Sequence, residues 1–254
     1  MSELEALFGI SPFFFIVAVG ITLFAGFVKG AVGFAMPMIM ISGMGSFLAP
    51  DVALAALIAP TVVANTWQSL RQGGGNALQS VRKVWRFLLV GLVFLLGSAQ
   101  LFRLLPTQVL YLLIGTPIVL FSIAQLLGWR PRFKGRLAEI ILAAIAGFSG
   151  GLSGVWGPPT VAYLTAMETP KAEHVRVQGV IYGLGAVALL LAHIQSGVVR
   201  TDTMPLSLAM LGPAVAGMWA GLKLHDRMPQ ERFRKATLAV LVVAGLNLIW
   251  RGVM

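Results

Sequence analysis

A twelve-residue segment, Gly26-Phe27-Val28-Lys29-Gly30-Ala31-Val32-Gly33-Phe34-Ala35-Met36-Pro37, interrupts the first long apolar run of the chain. A related segment returns 121 residues later as Gly147-Phe148-Ser149-Gly150-Gly151-Leu152-Ser153-Gly154-Val155-Trp156-Gly157-Pro158. Gly26/Gly147, Phe27/Phe148, Gly30/Gly151, Gly33/Gly154 and Pro37/Pro158 coincide without a gap, five of twelve positions. A continuous helix tolerates such a cluster poorly, because glycine adds backbone entropy and proline removes a donor. In a bilayer the freed backbone groups must be buried in protein or face a wet cavity. Paired breaks at matching places in two halves point to a transporter's central site. Helix packing is the plainer reading, since Gly26-xxx-Gly30 and Gly147-xxx-Gly151 are small-xxx-small patterns. The prolines add nothing to packing, and they favour broken helices.

Of the 254 residues, 57% are hydrophobic and only 11% charged, against about 25% charged in a soluble domain. Apolar runs of the roughly 20 residues needed to cross hydrocarbon recur from end to end. These features predict an all-α polytopic membrane protein forming a single transmembrane domain over residues 1–254. It divides into a first repeat at 12–128, a linker at 129–136 and a second repeat at 137–254. Cysteine is absent, so disulfides, thiolate metal sites and cysteine nucleophiles are excluded. A net charge of +10 would suit nucleic acid. The basic residues lie between the apolar runs, however, where orientation in the membrane accounts for them and no nucleic-acid partner is implied. Residues 1–11 carry two glutamates and no basic residue, unlike the start of a cleaved signal peptide.

Segments 71–86 and 129–136 hold four Lys or Arg each, 168–176 holds two and 223–235 five, 15 of the 19. The positive-inside rule places all four in the cytoplasm. Residues 137–167 must then leave the cytoplasm and return as a hairpin with its tip at 150–154, and by the same logic 12–48 is a hairpin opening to the outside with its tip at 29–33. Each half becomes a glycine-broken hairpin plus three spans near 52–70, 87–102 and 107–127, or 174–194, 205–222 and 233–250. An odd number of segments inverts the second repeat and puts both termini outside. If 168–176 lies outside instead, the repeats are parallel and eight segments remain. The expected range is therefore 8–10 membrane segments, with the hairpins meeting near the midplane.

Helix starts near Gly33 and Gly154 would expose N–H groups at positive dipole ends, which favours an anion. Lys29 is the one basic residue inside an apolar run, and an intramembrane charge marks function by default unless it snorkels to the surface. Asn65 and Gln68 in the third segment, and Gln178 and Tyr182 in its expected counterpart, would add side-chain donors or merely bond between helices. Ser149 and Ser153 flank the second tip and would donate to oxyanions or satisfy broken backbone. Trp67, Trp156 and Trp250 would line the site or sit in interfacial belts. His193 is read as interfacial, His174 and His225 as loop residues, Asp51 and Asp202 as helix caps, and Glu139 as a charge at a helix start. Gly151-Leu152-Ser153-Gly154 superficially suits a serine nucleophile with His193 as its base, but no hydrolytic, metal or Walker constellation appears. No enzyme activity, metal or cofactor is expected.

The doubled motif, and above all the Gly-Gly-x-x-Gly core of its second copy with Gly157-Pro158, resembles the sulfite exporter TauE/SafE family. The resemblance extends over essentially the whole chain. It implies an inner-membrane secondary carrier that exports or exchanges a small sulfur-containing oxyanion, sulfite or an organosulfonate. The candidate substrate-binding residues are Lys29, Gly30, Gly33, Asn65, Gln68, Ser149, Gly151, Ser153, Gly154, Trp156, Gln178 and Tyr182. The expected partners are that anion and the lipid bilayer, and a homodimer is one assembly open to such a chain. An anion channel of the same fold and a non-transporting membrane anchor are the competing readings.

Overall fold

Continuous apolar stretches closed by glycine or proline give helices in this chain, and the computed structural model is helical throughout its regular structure. It describes residues 3–129, 135–167, 171–225 and 230–254. Most of the linker, together with residues 168–170 and 226–229, lies outside the described residues, and so do several charges on which the topology argument rests. Two peripheral helices aside, α1 (Glu3–Phe8) and the amphipathic α5 (Gly74–Lys83), the first half comprises α2 (Pro12–Val32), α3 (Met36–Met44), α4 (Pro50–Leu70), α6 (Trp85–Leu101) and α7 (Thr107–Leu126). The second half comprises α8 (Arg136–Ser153), α9 (Gly157–Ala166), α10 (Lys171–Gln195), α11 (Met204–Ala209), α12 (Leu211–His225) and α13 (Gln230–Val253). Six stretches among the described residues are long and apolar enough to cross a membrane: Pro12–Val32, Pro50–Leu70, Thr107–Leu126, Arg136–Ser153, Glu173–Gln195 and Met204–Lys223. The chain is a multi-pass helical membrane protein.

Local chemistry explains where these helices begin and end. Pro12 opens α2 behind Ser11, whose hydroxyl accepts from the Phe14 N–H at 3.4 Å. That arrangement satisfies one of the orphan donors of the first turn. Gly33 and Gly154 close α2 and α8 in the left-handed conformation, at φ 85° and 69°, where a side chain would be strained. The segment expected as a basic loop at 71–86 is largely the helix α5, bent 79° from α6. Its charges face outward, and Lys83 pairs with Glu173 at 2.6 Å. The run expected as one span over 205–222 is among these spans as Met204–Lys223, interrupted only at Met210 between α11 and α12. His174 belongs to α10 and His225 ends α12, so neither is a loop residue.

The hairpins have unequal arms. α2 has 21 residues and α3 nine, α8 has 18 and α9 ten. At about 1.5 Å per residue the returning arms reach only half-way, so residues 137–167 are not two similar passes. The packing partners of one half mirror those of the other. α2 lies along α12 as α8 lies along α6, while α4 packs on α10 and α7 on α13.

Gly26 and Gly30, like Gly147 and Gly151, lie inside helices and make these contacts. A Cβ on Gly26 would come 2.3 Å from the Ala214 carbonyl oxygen, and one on Gly147 2.1 Å from that of Gly91. Packing therefore accounts for the small-xxx-small glycines, and the break is confined to the three residues that follow each helix. Gly147→Leu should destabilise the protein by more than about 3 kcal/mol, because rigid backbone blocks the added side chain. Gly20→Ala, with nothing within 4 Å of the new methyl, should leave the melting temperature in detergent unchanged or slightly raised. Differential scanning fluorimetry of the two variants checks the contrast.

At one end of the bundle Arg200 joins Asp202, at 3.0 Å, to Asp51, at 3.4 Å. Both aspartates are thus paired as well as placed near helix starts. The hydrogen bond from Arg200 holds the Asp202 carboxyl below the usual carboxylate range. That stabilisation is present above the ordinary carboxylate pKa and is lost as pH falls.

Candidate functional site

Lys29 occupies the last turn of α2, four residues before the helix terminates at Gly33. Its side chain is 2% exposed and does not reach the surface, so snorkelling is ruled out. Nζ donates to Asn65 Oδ1 on α4 at 2.6 Å and to the Gly33 carbonyl at 3.2 Å, and it lies 5.1 Å from the ring centre of Tyr182 on α10. The second of these bonds places a cation on the carbonyl end of a helix, the favoured end of its dipole. Asn65 in turn donates from Nδ2 to the Tyr182 carbonyl at 3.4 Å. Gln178 Nε2 donates to Tyr182 Oη at 3.0 Å, and that hydroxyl donates to the Gly157 carbonyl at 3.4 Å, at the start of α9. Gln68 Nε2 donates to the Val175 carbonyl at 3.1 Å. Five polar side chains from three helices thus enclose the first break and touch the second.

The second break lies against the start of α3, the helix that follows the first break. A Cβ on Gly154 would lie 3.9 Å from Pro37 Cβ, and one on Gly157 3.8 Å from Met38 Sδ. The surroundings of the two breaks differ in kind. A Cβ on Gly33 would meet Gln178 Oε1 at 3.4 Å and Gln68 Nε2 at 3.9 Å. A Cβ on Gly154 would meet Leu57 Cδ1 at 2.9 Å and Leu189 Cδ2 at 3.4 Å. The offset of 121 that aligns the motifs also takes Gln68 to Leu189 and Leu57 to Gln178. The same two flanking positions are therefore amides around one break and leucines around the other. Lys29 itself corresponds to Gly150, where a Cβ would strike Trp156 Cε3 at 2.7 Å. An indole covers the place at which the first half carries its cation.

Several expected roles change accordingly. The helices that follow the breaks begin at Met36 and Gly157 rather than at Gly33 and Gly154. The Gly33 and Gly154 N–H groups are consumed, donating to the Lys29 and Gly150 carbonyls at 2.8 and 2.7 Å. Gly30 and Gly151 sit one turn back in the helices. Pro158 and Pro159 occupy the second and third positions of α9 and have no N–H to give. The start of α9 is accordingly poor in donors, whereas α3 loses only the N–H of Pro37.

Ser149 Oγ donates within the broken segment, with the Val155 carbonyl at 2.8 Å among its acceptors, and Ser153 Oγ donates to the Ser149 carbonyl at 2.7 Å. Both hydroxyls satisfy freed backbone. Asn65 and Gln68 lie on α4 and Gln178 and Tyr182 on its counterpart α10, and all four gather at the first break. Trp156 is buried 6.1 Å from Tyr182, while Trp67 and Trp250 are exposed on the outer surface.

Three residues that matter here lacked an obvious sequence signal. His193, expected at an interface, is fully buried; Nε2 lies 2.8 Å from the Gly151 carbonyl and Nδ1 3.0 Å from Ser196 Oγ. A carbonyl only accepts, so Nε2 carries the proton and the imidazole caps the end of α8. With His193 and Ser153 committed to separate partners, they form no nucleophile–base pair. Leu57 and Leu189, which wall the second break, become visible once the 121-residue offset is applied to the glutamines. Glu139, in the first turn of α8, accepts from Tyr163 Oη at 3.1 Å.

The family model for the sulfite exporter TauE/SafE matches residues 18–248. The chain belongs to the sulfite exporter TauE/SafE family. No curated protein and no solved structure matches it. TauE/SafE proteins are membrane transporters of sulfur-containing anions, and a multi-pass helical architecture suits that class. The family match spans both breaks and every residue of the Lys29 cluster.

Proposed function

We propose that this TauE/SafE protein is a secondary transporter that exports or exchanges a small sulfur-containing oxyanion across the cytoplasmic membrane. The anion is held at the first break by Lys29, with Asn65, Gln68, Gln178 and Tyr182 around it. The observation that carries this reading is the contrast between the breaks: one buried cation ringed by amides against an indole and two leucines. A buried charge with no carboxylate partner is costly, and a bound anion supplies the missing counter-charge.

Position along the helices favours export. The cluster lies near the C-terminal end of α4 and the N-terminal end of α10, beside Arg71 and Arg176, which the positive-inside rule assigns to the cytoplasm. Leu57 and Leu189 lie toward the opposite ends, and Leu57 is eleven residues, about 16 Å, from Gln68. An anion entering from the cytoplasm would meet the polar break first, with the apolar break closing the way out. Two inverted repeats related by an axis in the membrane plane, with both termini outside, would let a rocking motion exchange these two arrangements. The site then lies off the midplane.

Burial of Lys29 favours a carrier over a channel, because a conducting pore would expose it to water. In proteoliposomes, sulfite or ethanesulfonate flux should saturate, and substrate on the far side should accelerate uptake of labelled substrate. Flux that never saturates and shows no counterflow would establish a pore. No flux of either anion would reduce the protein to a membrane anchor.

A further inference from the structure

A groove between α6, α8 and α10 has a floor of small residues. Gly91, Gly147, Gly185 and Ala188 let the surface sink inward until it meets the indole of Trp156, which is only 4% exposed. Leu92 and Leu184 stand exposed along its rims. The groove has a volume of about 540 Å³, and every residue that lines it is apolar. Its two long walls run from Trp85 to Leu95 on α6 and from Ile181 to Leu191 on α10. At the rise of a helix each wall is about 15 Å long. That is half of the roughly 30 Å hydrocarbon core, the depth of one lipid leaflet.

One end of the groove differs in chemistry from the rest. Trp85 lies at the 79° bend between α5 and α6, and the Arg86 guanidinium lies 5.3 Å from the centre of its ring. Arg82, next in sequence to the lining residue Val81, is exposed at the end of α5. Lys83 is committed to Glu173, whereas Arg82 and Arg86 have no ion pair among the described residues. The forked guanidinium suits phosphate oxygens, and basic residues at the end of a span attract anionic headgroups. We infer that the groove binds one anionic phospholipid of the leaflet on the α5 side, with an acyl chain laid against Trp156 and the phosphate held by Arg86 and Arg82. The positive-inside rule assigns that side to the cytoplasm. The chain backs the same indole that covers Gly150 at the second break.

Native mass spectrometry of the detergent-purified protein, titrated with dioleoylphosphatidylglycerol or dioleoylphosphatidylcholine, tests this without any anion flux and so stands apart from the transport reading. The first phosphatidylglycerol should bind about tenfold or more tightly than the first phosphatidylcholine, the scale of two basic residues beside a headgroup. In Arg82→Gln/Arg86→Gln that ratio should fall to about one. Gly185→Leu fills the groove from its floor. The new Cβ would lie 3.7 Å from the Trp156 ring, an ordinary contact, so the fold accepts it while the affinity for both lipids drops about tenfold or more. Equal affinities of the two lipids in the wild type overturn the inference, and that comparison needs no variant to fold. Wild-type lipid affinity in a folded Gly185→Leu overturns it as well, since the lipid then sits elsewhere. A wild-type dimer that holds no lipid and dissociates in Gly185→Leu would give the groove to a second copy of the chain instead.

Discussion

Lys29→Met lowers the affinity for a sulfur oxyanion by about 100-fold or more and brings transport to background. The expectation follows from the inventory of positive charge at the first break. Asn65, Gln68, Gln178 and Tyr182 are neutral, and the N–H groups of Gly33 and Gly154 are already spent inside their helices. The Nζ group is the one cation in the cluster, and a charge-assisted hydrogen bond is worth about 1.5–3 kcal/mol. Its loss alone corresponds to roughly tenfold to a hundredfold in affinity, at 1.4 kcal/mol per factor of ten. The long-range attraction of an unscreened buried charge adds to that. Methionine fills the volume without polarity.

The fold itself should survive this change. Removing the amine orphans Asn65 Oδ1, which costs about 1–3 kcal/mol, but it also removes a buried charge whose desolvation opposed folding. The melting temperature should therefore move little while binding disappears. Lys29→Arg should not restore binding, since a planar guanidinium does not fit the geometry set by Asn65 and Gly33. Titration and thermal melts on the same samples check both statements. Retained affinity in Lys29→Met would show that the charge serves only to cap α2.

What could be read from the sequence was the multi-pass helical architecture and the place of the two breaks, and physical reasons limited the rest. The doubled glycine and proline pattern located both breaks to within a few residues, because a positive-φ helix end and a proline start have few other residue choices. It did not distinguish Gly33, which ends a helix, from Gly30, which packs against α12. Both are glycine for steric reasons, and the difference lies in a partner helix nearly 190 residues away. The depth of Lys29 was undecidable from spacing, since a long side chain reaches either the surface or the core.

The symmetry of the motif also misled. It suggested two equivalent anion-binding ends, yet Pro158 and Pro159 strip α9 of donors, and the flanking positions alternate between glutamine and leucine. His193 was hidden for a related reason. A lone histidine near a helix end looks interfacial until the carbonyl it caps is known. Segment 71–86 looked like a loop because its basic residues outweighed the apolar stripe of a short surface helix.

The contrast between the breaks yields the second large effect. Gly33 and Gly154 have nearly the same backbone conformation, and alanine at either place adds a strain of about 1–2 kcal/mol. If the breaks served the anion equally, the two alanine variants would behave alike. Around Gly33 the new methyl enters the space between Gln178 Oε1 and Gln68 Nε2, where the anion is proposed to sit. Around Gly154 it presses on Leu57 Cδ1 and Leu189 Cδ2, flexible apolar ends remote from Lys29. Gly33→Ala should therefore lose about tenfold or more in anion affinity, and Gly33→Leu should abolish binding altogether. Gly154→Ala should bind within about threefold of the wild type, although its transport slows if the apolar break must open for release. Thermal midpoints of the two alanine variants should fall by similar amounts, because the strain is shared. Equal losses of affinity in both would mean that the amides and leucines are only packing. A normal affinity in Gly33→Leu would remove the first break from the binding site.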